Sequence, residues 1–397
     1  MNASKLQKLQ EKALVKAKAM AGPEPILNPA AEKIPVCAPV LEGNERDYVL
    51  KCLDTNWISS RGEFVDRFEE GFASYCGVKH GITTNSGTTA LHLALAAVGI
   101  GEGDEVIIPS FTMISTANAI NYLGARPVLV DSEPLTWNLD PNRIEEKITG
   151  QTKAIMPIHT YGHPAEMDAI RRLAQKHGVM IVEDAAEAHG AKYHDRMVGS
   201  FGTVAAFSFY ANKIITTGEG GIVITDDDEL AERTRTMRNY GFTRERHFWH
   251  KVVGFSYRLT NLQAAIGLAQ LERVEELVAA RISHARLYNR LLAEVEGITT
   301  PSEAADVRSV YWMYGILVED SFGLSRDQLR QVLADHGIET RSFFIPIHLQ
   351  PIYAYLYGDE YPVSENLGNR GFYLPSSGGL LDEQIEFICR TIGEARR

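Results

Sequence analysis

Three short stretches carry residue types that could do chemistry together. The first is residues 204–221, VAAFSFYANKIITTGEGG, where an apolar run ends at Ser208-Phe209 and a short polar loop carries one lysine, Lys213. A free lysine amine has a pKa of about 10.4 and is protonated near neutral pH. A loop over the end of a buried sheet can desolvate it, lower that value and free the amine to attack a carbonyl. For a lone loop lysine, plain solvation is the alternative. The second stretch is Glu183-Asp184, which ends the apolar run from Val179 to Val182. A carboxylate there faces the crevice in which open α/β sheets bind ligands, or else it caps the next helix. The third is Ser86-Gly87-Thr88-Thr89, just before the apolar Ala90 to Val98. N–H groups opening a helix point outward without partners and the helix dipole favours an anion there, so this turn is a candidate phosphate cradle. An ordinary Ser/Thr N-cap is its alternative.

Together the three stretches supply what a pyridoxal phosphate (PLP) site needs. The phosphate needs N–H and hydroxyl donors. The ring nitrogen needs a carboxylate that keeps it protonated. The aldehyde needs a lysine. The order phosphate turn, aspartate, lysine is far more specific than any one part.

The elements that must position these residues follow from the apolar pattern. Short runs at 105–109, 125–131, 153–159, 179–184, 204–209 and 221–225 read as strands. They are continuous rather than alternating, and helical stretches such as 112–122 and 164–177 join them, so a mainly parallel sheet covered on both faces is expected. Residues 45–54 and 62–75 have helical spacing, and Leu262 to Ala280 reads as one long amphipathic helix. Beyond it, helices at 282–294, 325–336 and 382–396 mix with short strands at 311–318 and 339–344, the pattern of an α+β second domain. Residues 240–262 are rich in aromatic and basic residues without a clean period, and read as an excursion over a site or an interface. Residues 4–19 are helix-prone with five lysines, and 21–35 hold four prolines. A solvated terminal helix on an extended arm is expected, with a packing contact as the alternative. The division is therefore 1–33, an extension and linker; 34–260, a large domain; and 261–397, an interdomain helix and small domain.

Composition bounds the rest. At 397 residues two domains are expected. A net charge of -11 argues against a nucleic-acid surface. No apolar stretch approaches the ~18 residues of a membrane span. The four cysteines are scattered, which supports neither a metal site nor a disulfide framework and points to a reducing cytoplasm.

From about Ile34 onward the chain resembles the sugar-nucleotide aminotransferases of the DegT/DnrJ/EryC1/StrS family. The likeness is carried by NSGTTALHLAL (85–95), GDEVIIPSFT (103–112), EDAAEAHGA (183–191), FSFYANKIITTGEGG (207–221), YRLTNLQAAIG (257–267) and GIETRSFFIPIH (337–348). It implies an aspartate-aminotransferase-like α/β architecture (PLP fold type I), with a large-domain sheet of the mainly parallel, seven-stranded type and a smaller α+β C-terminal domain. DTNWISSRG (54–62), NKIITTGEGG and FFIPIHLQP resemble the perosamine-forming branch most. That branch moves an amino group from L-glutamate to C4 of GDP-4-keto-6-deoxymannose, with pyridoxamine phosphate (PMP) as the intermediate cofactor form.

The same resemblance implies roles. Lys213 is the Schiff-base lysine and proton shuttle, and Asp184 pairs with the ring nitrogen. Ser86, Gly87, Thr88 and Ser208 hold the phosphate, and Glu187 lies near the ring hydroxyl. Two positions depart from the family's usual residues: Ser256 stands where many relatives have a phosphate-binding asparagine, and Met113 where an aromatic ring often stacks. Trp57, Ser59, Arg61, Arg258, His348 and Tyr353 lie in segments that look like substrate contacts, and each has ordinary packing or capping as its alternative. A homodimer with shared active sites is implied as well. Three alternatives stay open: the same chemistry on a dTDP- or UDP-linked ketosugar, a catalytically silent regulatory protein that keeps the PLP fold, and a PLP racemase or lyase acting on amino acids. A dehydratase branch of the family has histidine at the lysine position; this chain has Lys213.

Overall fold

The computed structural model describes residues 3–242 and 248–396. Helix α1 (Ala3–Ala21) leads through the proline-rich arm to α2 (Glu45–Asp54) and α3 (Glu63–Cys76). Helix α3 buries Phe64, Phe68 and Phe72 on one face and stops at Gly77, whose φ of 73° closes its last turn. Then come β1 (His80–Thr84), α4 (Gly87–Ala97), β2 (Glu105–Pro109), α5 (Ile114–Asn121), β3 (Arg126–Val130), β4 (Thr152–Ile155), α6 (Met167–His177) and β5 (Met180–Asp184). A small hairpin, β6 (Lys192–Tyr193) and β7 (Arg196–Met197), precedes β8 (Val204–Ser208), β9 (Gly221–Thr225) and α7 (Asp228–Arg238).

The large sheet has seven strands in the order β1-β9-β8-β5-β4-β2-β3. Strand β9 runs antiparallel to both its neighbours, and the other pairs are parallel. Because the strand period is two, adjacent residues serve opposite faces. Val204 and Ala206 pack with Leu91 and Ala94 of α4, whereas Ala205 and Phe207 pack with Phe68 and Phe72 of α3. Both faces are thus dry, which explains why these strands read as continuous apolar runs.

The chain continues through α8 (Asn261–Glu272), α9 (Val274–Leu292), β10 (Ile298–Thr299), β11 (Val307–Arg308), β12 (Tyr314–Val318), α10 (Arg326–Asp335), β13 (Arg341–Ser342), α11 (Pro362–Arg370), β14 (Gly371–Leu374) and α12 (Asp382–Ala395). A second, antiparallel sheet runs β10-β12-β14-β13, and α9, α10 and α12 cover it through Tyr288, Leu329 and Ile388. The two layers are not independent: Trp312 and Phe343 belong to the same apolar cluster as Phe207 and Phe209.

Four local expectations change. Strand β1 is absent from the sequence reading, because HGITT is no apolar run; Gly81 is needed there, since a Cβ would lie 2.5 Å from the Glu69 carbonyl oxygen. The helix expected over 262–280 breaks instead at Arg273 and then runs unbroken to Leu292. Nothing in LERVEELVAAR marks that break, and the run past 281 holds because Arg281 turns inward and donates to the carbonyls of Trp312 and Ser376. The strand expected over 339–344 shortens to Arg341–Ser342. Helix α1 is no solvated appendage: Ala13, Ala17 and Met20 are buried. Part of the excursion expected at 240–262, residues 243–247, lies outside the described residues. All four cysteines are free, and among the described residues no helix is long and apolar enough to cross a membrane.

Candidate functional site

A cavity of about 420 Å3 opens where β5 and β8 end and α4 begins. Lining it are eight of the residues singled out in the sequence: Ser86, Gly87, Thr88, Met113, Asp184, Glu187, Ser208 and Lys213.

The α4 turn is built for an anion. Ser86 caps the helix, its hydroxyl accepting from Thr89 N at 3.2 Å while Ser86 N donates to Thr89 Oγ1 at 3.1 Å. The N–H groups of Gly87 and Thr88 then open the helix with no acceptor within it. Glycine is required at 87 by contact rather than by φ: a Cβ there would stand 2.5 Å from Ser208 Cβ. The close approach sets the Ser208 hydroxyl beside the helix start, so the cradle has backbone donors from α4 and a hydroxyl from β8.

Lys213 rides a loop pinned at both ends. Phe209 N donates to Gly220 O at 2.8 Å and Thr217 N to Phe209 O at 3.0 Å. Gly218, with φ of 79°, makes the return turn. The Lys213 amine lies 3.4 Å from the centroid of the Trp312 ring, and Trp312 Nε1 donates to Asn212 O at 2.8 Å. The residue keeps some exposed surface. Desolvation of its amine nevertheless dominates, drawing the pKa down to about 8 against the opposing pull of Glu187 and Asp184.

Both carboxylates are buried. Asp184 accepts from Thr116 Oγ1 at 2.8 Å and from Ala186 N at 3.2 Å, and burial raises it above the ordinary aspartate range. Glu187 accepts from Tyr161 N at 2.7 Å, and burial raises it to about 7. A buried amine, a buried carboxylate with its orientation set by a threonine, and a helix N-terminus thus face one space.

The other residues singled out lie elsewhere. Ser59, Arg61 and Arg258 line a separate cleft of about 770 Å3, and Trp57 is a half-exposed neighbour of Arg61. Ser256 sits beside Arg258, whose Nη2 is 3.3 Å from its hydroxyl. The structure does not bring His348 and Tyr353 to the cavity. Both are buried in hydrogen bonds within the chain, His348 with Ser110 at 2.7 Å and Tyr353 with Asn118 at 2.7 Å. Sequence reasoning missed Thr116, Trp312, Phe344 and Tyr373. Thr116 stands three residues after Met113 and was within reach of a helical-spacing argument. The other three come from the second sheet and its loops, and no local pattern marks them.

The family model for the DegT/DnrJ/EryC1/StrS aminotransferases matches residues 39–393. The chain is 50% identical to the GDP-perosamine synthase of Caulobacter vibrioides over 363 residues, covering 91% of this chain and 98% of that protein. It is 45% identical to the GDP-perosamine synthase of Escherichia coli O157:H7, again over 91% and 98% of the two chains. The solved structure of Spr1654 from Streptococcus pneumoniae, in a PLP-form, superposes with a TM-score of 0.86 at 27% identity, over 92% of this chain and 99% of that one. The chain belongs to the DegT/DnrJ/EryC1/StrS family, and it is an aminotransferase.

Proposed function

We propose that this aminotransferase uses PLP to move the amino group of L-glutamate to C4 of GDP-4-keto-6-deoxy-D-mannose, giving GDP-perosamine. One observation carries the chemistry: Lys213, with its amine desolvated, shares a cavity with Asp184 and the α4 N-terminus. The likeness to two proteins named GDP-perosamine synthase supports the substrate, and the PLP-form of a solved relative supports the cofactor.

The residues present fit the cofactor. Ser86, Gly87, Thr88 and Ser208 would hold its phosphate, and the contact that forbids a side chain at 87 keeps that cradle open. Asp184 would pair with the ring nitrogen and keep it protonated. When bound, PLP supplies an electron sink that acidifies the carbon bearing the substrate nitrogen. The chain's part is to bind, orient and move protons. Lys213 Nζ, about half neutral at a pH near 8, would take the proton from the α-carbon of glutamate and in the second half-reaction would deliver one to C4 of the sugar. Met113, half-exposed at the cavity, would meet the cofactor ring through dispersion alone, having no π face to stack. Trp312, with its ring centroid 3.4 Å from the amine, helps to desolvate it, and Phe344 lines the same cavity. The separate cleft of Ser59, Arg61 and Arg258 suits a homodimer in which these residues serve the partner's cavity.

The test is a matched set of turnovers with PLP, L-glutamate and the GDP-, dTDP- or UDP-linked 4-keto-6-deoxyhexose, with aminosugar followed by mass. Amination of the GDP sugar alone is expected. Amination of only a dTDP or UDP sugar would keep the chemistry and overturn the substrate. Bleaching of bound PLP by glutamate with no amination would mean that the acceptor is a different ketone, and bound PLP that glutamate does not bleach would favour the regulatory alternative.

A further inference from the structure

Residues 1–38 lie outside the stretch that the family model matches, yet α1 is built into the body of the molecule. Ala17 and Met20 pack with Leu349, and Arg326 Nη2 donates to the Met20 carbonyl at 2.5 Å. On the same helix Lys16 Nζ stands 2.9 Å from both carboxylate oxygens of Glu365, in the first turn of α11. Glu365 Oε1 is 3.3 Å from His348 Nε2, and His348 Nδ1 is 2.7 Å from Ser110 Oγ. Ser110 and His348 are fully buried, with Tyr361 stacked on the imidazole at 4.4 Å.

Burial draws the His348 pKa down to about 4, so the ring is neutral and carries one proton. With a carboxylate at Nε2, that proton sits on Nε2 and Nδ1 accepts from the Ser110 hydroxyl. Ser110 follows the last residue of β2 and is two residues before Thr112, which, with Met113, lines the cavity. Thr112 Oγ1 is in turn 3.4 Å from Thr116 Oγ1, the donor to Asp184.

We propose that the N-terminal helix is a positioning element of the cofactor site, acting through Lys16, Glu365 and His348 on the cavity wall from Ser110 to Met113. The inference rests on the PLP reading above. Lys16 holds the Glu365 carboxylate, the carboxylate selects the imidazole tautomer, and the imidazole holds the strand end from which the wall departs. Contiguity alone does not demonstrate coupling, so the test measures it.

The wild-type chain is compared with Lys16→Met, with Lys16→Arg, and with Ala17→Asp, which sets a charge on the buried face of α1. Two quantities are read: amide hydrogen exchange over 108–113 in cofactor-free protein, and PLP affinity from quenching of tryptophan fluorescence. Lys16→Met is expected to speed the exchange and weaken PLP about two- to fivefold, the range of a half-exposed ion pair. Ala17→Asp should do at least as much, Lys16→Arg should restore both, and Ser110→Ala should add nothing to Lys16→Met. Unchanged exchange and affinity in Lys16→Met and Ala17→Asp would overturn the proposal, as would a lowered melting temperature with PLP affinity intact. A wild-type chain that binds no PLP would instead sink the functional reading, and the exchange arm would still decide this one.

Discussion

Lys213 has to be neutral to take a proton and charged to return one, and its surroundings set that balance by desolvation. Below its folded pKa of about 8 the buried charge costs stability in full; the cost shrinks as pH rises from 8 towards 10.5, because there the unfolded chain binds more protons than the folded one. Cofactor-free protein should therefore show an amine that reacts with acetylating reagents with a midpoint near 8, and peptide mapping should place it at 213. A midpoint near 10.5 would remove the desolvation argument. Lys213→Ala is expected to abolish amination while the protein still takes up cofactor, as read by absorbance after gel filtration. Thr116 acts one bond away from the chemistry. Thr116→Val keeps the shape but deprives the buried Asp184 of its 2.8 Å donor, at a cost of about 1–3 kcal/mol. Urea titration should show that loss together with weaker PLP binding.

The site at the level of elements is a meeting of ends: the N-terminus of α4, the C-terminal ends of β5 and β8, and the turn back into β9. Two glycines let them meet. Gly87 faces Ser208, and Gly221 faces the Ser86 carbonyl, where a Cβ would lie 2.4 Å from the oxygen. Gly87→Ala is expected to push α4 off β8, costing about 1–3 kcal/mol as overpacking and at least tenfold in PLP affinity, because the donors no longer converge. A thermal melt and a cofactor titration on the same sample separate the two effects. An alanine variant with unchanged PLP affinity would mean that the cradle lies elsewhere.

Across the whole molecule, the second sheet completes the cavity of the first. Trp312 precedes β12 and covers Lys213, while Arg281 of α9 holds the Trp312 carbonyl at 2.7 Å. The guanidinium also adds a like charge that lowers the Lys213 pKa. Arg281→Met should therefore raise the Lys213 midpoint in the acetylation assay and destabilise the fold, since two buried carbonyls lose their donor. A midpoint that falls would contradict that sign.

Much of this was open to the sequence, for a local reason. The six apolar runs, the N-cap turn at Ser86, Asp184 at a strand end and Lys213 between Ser208 and a glycine turn are patterns within a few residues, where backbone sterics and hydrophobic period act. Strand β1 escaped because its identity depends on pairing with β9, more than a hundred residues away, not on its own composition. The break at Arg273, the inward turn of Arg281 and the packing of α1 also come from distant partners. So does the divide among the proposed substrate residues: Ser59, Arg61 and Arg258 share a cleft, whereas His348 and Tyr353 are sealed into the interior. A segment's chemistry can be read from its residues, but which side chains face a common space depends on contacts between segments far apart in the chain, and only the tertiary fold decides those.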